Sequence, residues 1–180
     1  MSDDTSGRYR AGETALIAVV KEAEPLVGGW RGRFDSSASA GVPAHVTVLV
    51  PFLDVERIDT AVIDDLRAIF GRHSPFAVRF DACRRFPGVL YLAPVPDQPF
   101  RTLTEAVVAR WPEAPPYGGQ FTEVIPHLTV AHGQQDHVLD EVEAALTVRL
   151  PVTADVASVS LFVCDGELWR PYAEFPLLVA

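Results

Sequence analysis

Apolar and polar positions along this chain fall into two alternating periodicities, and the switches between them outline the elements. Glu13 to Val20 (ETALIAVV) is a β-branched apolar run that predicts a first strand. The Gly/Ser/Ala-rich segment from Val27 to Pro43 breaks the pattern and predicts a loop. His45 to Phe52 predicts the next strand, stopped by Pro51. From Val55 to Phe70, Ile58, Val62, Leu66 and Ile69 recur near helical spacing with acids between them, which predicts a helix. Phe76–Phe86 and Val89–Val95 predict a strand pair turned at Pro87-Gly88. Gln98 to Trp111 predicts a second helix with Phe100, Leu103, Val107 and Trp111 on one stripe, ended by PEAPPYGGQ. Phe121 to Ala131 predicts a strand. Asp136 to Leu146 predicts a third helix, with Asp136 as its cap and Val138, Val142, Ala145 and Leu146 as its apolar stripe. Ala154–Cys164 and Leu168–Leu178 predict a last strand pair, turned at Asp165-Gly166.

The order strand, helix, strand, strand occurs twice, with an extra helix between the two occurrences. This predicts two similar α+β lobes facing each other in one bilobal unit over residues 13–180, after a mobile N-terminal tail at residues 1–12.

Each repeat opens on a strand with the same device. PAHVTVLVPF holds His45 and Thr47, and IPHLTVAH holds His127 and Thr129. On a strand, residues two apart share a face, so each triplet sets an imidazole beside a hydroxyl. With five His and ten Thr in 180 residues, two such triplets would arise by chance about 3% of the time. Two imidazoles meeting across a cleft form an acid/base pair suited to neutral pH.

Composition narrows the chemistry. A net charge of −9 argues against an extended groove for a nucleic-acid backbone, and so against duplex DNA, while leaving room for one small phosphorylated ligand or an RNA terminus. The apolar runs are far shorter than the roughly 18 residues a membrane span needs, and MSDDTSGRYRAGE lacks the order of a secretion signal. Cys83 and Cys164 are widely separated, outside any C-x-x-C spacing, and read as reduced thiols of a cytoplasmic protein.

The two triplets, HVTVLVPF and PHLTVAH, with RFPGVLYLAP between them, resemble the 2H phosphoesterase superfamily, which includes the 2′–5′ RNA ligase-like proteins and the RNA 2′,3′-cyclic phosphodiesterases. The resemblance spans residues 13 to 178. It implies a bilobal α+β fold, with two pseudo-symmetric lobes of antiparallel sheet, flanking helices and a central cleft. It also implies opening of a cyclic phosphodiester at an RNA end or on a small nucleotide, with no metal and no cofactor. His45 and His127 would be catalytic, with His45 as the acid and His127 as the base, and Thr47 and Thr129 would hold the phosphate. The related RNA-ligase-like proteins imply an Arg three residues after the second Thr, where this chain has His132.

Other candidates follow from residue type. Arg31, Arg33, Arg84, Arg85 and Arg170 could supply counter-charge to a phosphate. Phe86, Tyr91, Trp169 and Tyr172 could stack on a nucleobase. His132 lies five residues after His127, so a regular strand would point it to the opposite face. His73 and His137 read as solvated. Two rival readings remain at this level. One is a non-catalytic phosphate- or nucleotide-binding module of the same fold, and the other is a metallohydrolase using His45, His127 and an acid such as Asp35. A monomer is expected.

Overall fold

In the computed structural model, which describes residues 9–178, eight strands form two antiparallel four-stranded sheets. The first sheet contains β1 (Thr14–Val19), β2 (His45–Leu49), β7 (Ser158–Cys164) and β8 (Trp169–Pro176), in the order β2-β1-β7-β8. The second contains β3 (Phe76–Phe86), β4 (Val89–Val95), β5 (Leu128–His132) and β6 (Val152–Val156), in the order β5-β4-β3-β6. The α+β bilobal architecture is therefore present. The lobes are not the two halves of the chain, however. The second sheet forms from one continuous stretch, while the first closes around it from both ends.

This arrangement follows from how each strand is covered. β1 lies between β2 and β7 and is buried on both faces, which is why TALIAV is apolar without alternation. β3 alternates instead, with Val78 and Phe80 inward and Arg79 and Asp81 outward. The expected strand Ala154–Cys164 is in fact two strands in different sheets. β6 pairs with β3, the chain crosses at Ala157, and β7 pairs with β1 and β8. One apolar core, including Leu16, Val48, Phe70, Phe80, Leu92, Phe100, Leu128, Val142 and Phe175, runs through both lobes.

Helix α1 (Glu24–Phe34) and the single turn α2 (Ser36–Ser39) occupy the segment expected to be a loop. Gly28, Gly29 and Gly32 weaken helix propensity, but Pro25 opens the helix favourably and Leu26, Val27 and Arg31 bury one side, so packing overrides propensity. A 3₁₀ turn at Val55–Arg57 precedes α3 (Thr60–Phe70), whose first turn is capped by Asp59 accepting from Val62 N at 2.9 Å. Helix α4 (Gln98–Arg110) buries Phe100, Leu103 and Val107 as its stripe predicts. In α5 (Asp136–Thr147) the buried stripe is Leu139, Val142 and Leu146, and Gln135 rather than Asp136 takes the cap position. No helix among the described residues is long and apolar enough to cross a membrane.

Residues 1–8 of the expected tail lie outside the described residues. Tyr9 rests edge-on against Trp169 at 5.4 Å, Arg10 pairs with Asp54, and Gly12 N donates to Cys164 O at 2.9 Å. Gly41, in the lead-in to β2, has φ +96°, and a Cβ there would lie 2.9 Å from the carbonyl oxygen of Trp169. Gly41→Ala is expected to cost roughly 1–3 kcal/mol, read as a lower midpoint in chemical denaturation.

Candidate functional site

β2 and β5 are the edge strands of their sheets, and they lie against each other where the lobes meet. The fold thereby brings the two triplets to one cleft. His45 is the first residue of β2, and His127 stands immediately before β5 rather than within a strand from Phe121 to Ala131. Pro126 at the preceding position cannot donate to a ladder, and residues 123–127 run as irregular backbone.

The two imidazoles are held in the same way. His45 Nδ1 lies 2.8 Å from Pro43 O, and His127 Nδ1 lies 2.7 Å from Ile125 O. A carbonyl oxygen only accepts, so Nδ1 carries the proton in both neutral rings and Nε2 is left with its lone pair. Burial lowers the basicity of both rings. His45 is pushed down to about 4 by desolvation, with smaller contributions from Arg31 and from His127 itself. His127 is also lowered, again by desolvation. In the free protein both rings are neutral at pH 7.

The cleft has two arms. A cavity of about 200 Å³ lies at His45, walled by Tyr9, Ile17, Thr47, Phe162 and Trp169. A larger cavity of about 560 Å³ lies at His127, walled by Phe86, Val89, Tyr117, Phe121 and Ile125. Thr129 and His132 line both arms and mark where they meet.

His132 reaches this position through a β-bulge. β4 pairs Tyr91 with Thr129 but Leu90 with Ala131, so Val130 is an extra residue in β5. Val130 and Ala131 are both buried, and the alternation shifts by one. His132 therefore turns to the same cleft as Thr129, not to the opposite face as a regular strand predicts.

The remaining candidates divide. Phe86 lines the larger arm. It stacks on Tyr91 at 4.4 Å and meets the edge of His127 at 5.2 Å, with Tyr91 also 5.5 Å from that ring. Tyr91 is buried beneath them, so it orients His127 and does not line the cleft. Trp169 walls the smaller arm, whereas Tyr172 is exposed and outside both. Arg31, expected as a possible substrate contact, is only 2% exposed, and its guanidinium is taken up by Asp35, Val42 O and Ser37. Arg33 lies over Trp30 and Phe34, Arg85 pairs with Asp140 and Glu143, and Arg170 faces Asp165. None of these arginines lines either arm. Asp35, the acid of the metal reading, turns its carboxylate to Arg31 and Ser37.

Tyr117 is a site residue that the sequence reading missed. It holds a left-handed backbone (φ 51°), donates from its amide to Val50 O at 2.7 Å, and brings its hydroxyl within hydrogen-bond reach of Thr47. Its only sequence signal is its place in PPYGGQ, where two following glycines permit an unusual turn.

A model of the 2′-5′ RNA ligase superfamily matches residues 19–167. No curated protein matches significantly. Among solved structures, E. coli LigT complexed with 3′-AMP is similar at a TM-score of 0.61 and 16% identity, covering 93% of this chain and 99% of that one. A phosphoesterase crystal structure matches at 0.59 and 14% identity, over 94% and 100%. TT0787 of Thermus thermophilus matches at 0.55 and 17% identity, over 92% and 97%. These likenesses show the shared fold. With the family model matching most of its length, the chain belongs to the 2′-5′ RNA ligase superfamily.

Proposed function

We propose that this protein opens a cyclic phosphodiester, the 2′,3′-cyclic phosphate of a small nucleotide or an RNA terminus, by two-histidine acid/base catalysis without a required metal. The observation that carries this reading is the matched pair of imidazoles. Each has Nδ1 held by a carbonyl and Nε2 as its remaining polar atom, and each walls one arm of the shared cleft. Ring opening needs one proton removed from water and another delivered to the departing ribose oxygen, and two such groups supply both. Thr47 and Thr129 offer hydroxyls to the nonbridging oxygens, where transition-state charge spreads.

The larger, apolar arm suits a nucleobase against Phe86, Tyr117 and Phe121. Arg31, Arg33, Arg85 and Arg170 are directed to other partners, which favours a ligand with one phosphodiester over a long polyanion. E. coli LigT, which shares the fold, has been crystallised with 3′-AMP and with phosphate, and this supports a nucleotide phosphate as the ligand class. The protein is expected to act as a monomer in the cytoplasm, with no duplex DNA or membrane partner.

Desolvation acts most strongly on His45, so the resting cleft suits His45 as the neutral proton acceptor and His127 as the donor. The resemblance implies the opposite assignment. A p-nitrophenyl phosphodiester separates the two, because so good a leaving group needs no acid. Alanine at the acid position should then be far less damaging than alanine at the base position.

The pH profile follows from the same shifts. In the free enzyme the active form carries one proton on the pair, and both rings are lowered below the usual imidazole value of 6.5. The optimum of kcat/KM should therefore lie on the acid side of about 6.5 and fall about tenfold per pH unit above it. A bound phosphate anion raises both rings, so the kcat optimum should sit at higher pH. A kcat/KM that climbs through pH 7 to 8 would refute the assignment. Initial rates on a nucleoside 2′,3′-cyclic phosphate, with EDTA present, measure both limbs.

A further inference from the structure

The carbonyls that fix the two imidazoles have a common support. Ahead of His45, Arg31 on α1 donates through Nη1 and Nη2 to Val42 O, each at 3.1 Å. Ahead of His127, Arg101 on α4 donates through Nη1 to Val124 O at 2.9 Å. Val42 and Val124 each stand three residues before their histidine, and the next residue, Pro43 or Ile125, supplies the carbonyl that takes the Nδ1 proton. Each arginine is braced by an aspartate four residues away. Arg31 Nε reaches Asp35 at 3.2 Å, and Arg101 Nε reaches Asp97 at 3.0 Å.

We infer that Arg31 and Arg101 are equivalent positioning residues of the two half-sites, each clamping the backbone that selects its histidine's tautomer. An imidazole whose Nδ1 loses its carbonyl can, when neutral, place the proton on either nitrogen, and the Nε2-protonated form cannot act as a base toward the cleft. When the ring serves as the acid, the same carbonyl holds the imidazolium Nδ1–H and aims Nε2–H at the leaving oxygen. The planar guanidinium suits the task because its fork grips a carboxylate and a carbonyl together.

The helices are crossed between the lobes. α1 holds the lead-in to β2 yet packs on β5, and α4 holds the lead-in to β5 yet packs on β2, where Thr104 Oγ1 donates to Val48 O at 2.6 Å. Each helix thus ties one histidine's backbone to the strand that follows the other. The two clamps differ in depth. The Arg31 side chain is 2% exposed and that of Arg101 is 26% exposed. On the His45 side, Glu24 also accepts from Ala44 N at 2.6 Å.

The test uses Arg101, whose partial exposure favours a folded variant, and reads the tautomer directly. Ring ¹⁵N NMR on histidine-labelled protein at neutral pH is combined with kinetics on a nucleoside 2′,3′-cyclic phosphate. Wild type should show Nδ1-protonated His127. Arg101→Ala, or Arg101→Gln should the alanine variant misfold, should give a mixed tautomer at His127 with His45 unmoved. It should also lower kcat by about 10–100-fold with little change in KM. Arg101→Lys should recover part of both effects, and Arg67→Ala, in a surface pair with Asp64, should change neither. A wild-type tautomer and kcat in Arg101→Ala would overturn the inference, and so would equal disturbance of both histidines. The kinetic arm rests on the proposed function, but the NMR arm does not. A selective tautomer change in a protein that leaves cyclic phosphates intact would uphold the clamp and reject the activity.

Discussion

His45→Ala and His127→Ala are each expected to slow turnover of a nucleoside 2′,3′-cyclic phosphate by about 10²–10⁴-fold, with KM little altered. In the proposed scheme the two rings act in one proton circuit, so the double variant should fall only modestly below the weaker single variant. The basis is geometric. Both rings are pinned through Nδ1, and the arms they wall meet at Thr129 and His132. Removing either ring leaves the cleft walls and both threonines in place, so ground-state binding persists while proton transfer is lost. Steady-state rates with EDTA present check this. A His127→Ala protein that keeps wild-type kcat would show that the pair does not share the reaction.

Asp35→Ala should produce the largest loss of stability. Asp35 is 5% exposed and Arg31 is 2% exposed, and the carboxylate bonds Arg31, Ser37 N and Ser37 Oγ. Removing it leaves a buried guanidinium with Glu24, 3.9 Å away, as its remaining counter-charge, and loss of the close partner costs about 3–5 kcal/mol. For a chain of this size that lowers Tm by roughly 6–20 °C. Replacing both partners with apolar residues of similar volume, as in Arg31→Met with Asp35→Leu, should restore much of that stability, because no buried charge is left unpaired. It should not restore the grip on Val42 O, so the double variant should be folded yet slow. Thermal denaturation and kcat, measured on the same samples, separate the two effects.

The sequence made the strands and the paired triplets legible because both depend on local pattern. β3, β4 and the helix at Gln98–Arg110 follow the apolar periodicity almost residue for residue. The His-x-Thr triplets announce themselves by repetition. Features that depend on tertiary contact were not visible. Residues 24–34 are glycine-rich and become helical only because Leu26, Val27 and Arg31 find a buried face. Ala154–Cys164 reads as one strand, since nothing in its alternation marks the crossing at Ala157 from one sheet to the other. His132 lies in the cleft because of a bulge set by pairing with β4, which a strict two-residue period cannot anticipate. Arg31 and Arg101 carry a faint signal in their four-residue spacing from Asp35 and Asp97. That spacing is common on helices, and the carbonyls they grip are identified only by the fold.

Incubating wild-type protein with a nucleoside 2′,3′-cyclic phosphate in EDTA and following the phosphorus by ³¹P NMR decides whether this cleft turns over a cyclic phosphodiester. The cyclic-phosphate resonance should be replaced by that of a phosphomonoester, and the His45→Ala/His127→Ala protein should leave it untouched. Saturable binding of the cyclic phosphate with its resonance unchanged would rule out turnover and leave a phosphate-binding module in its place.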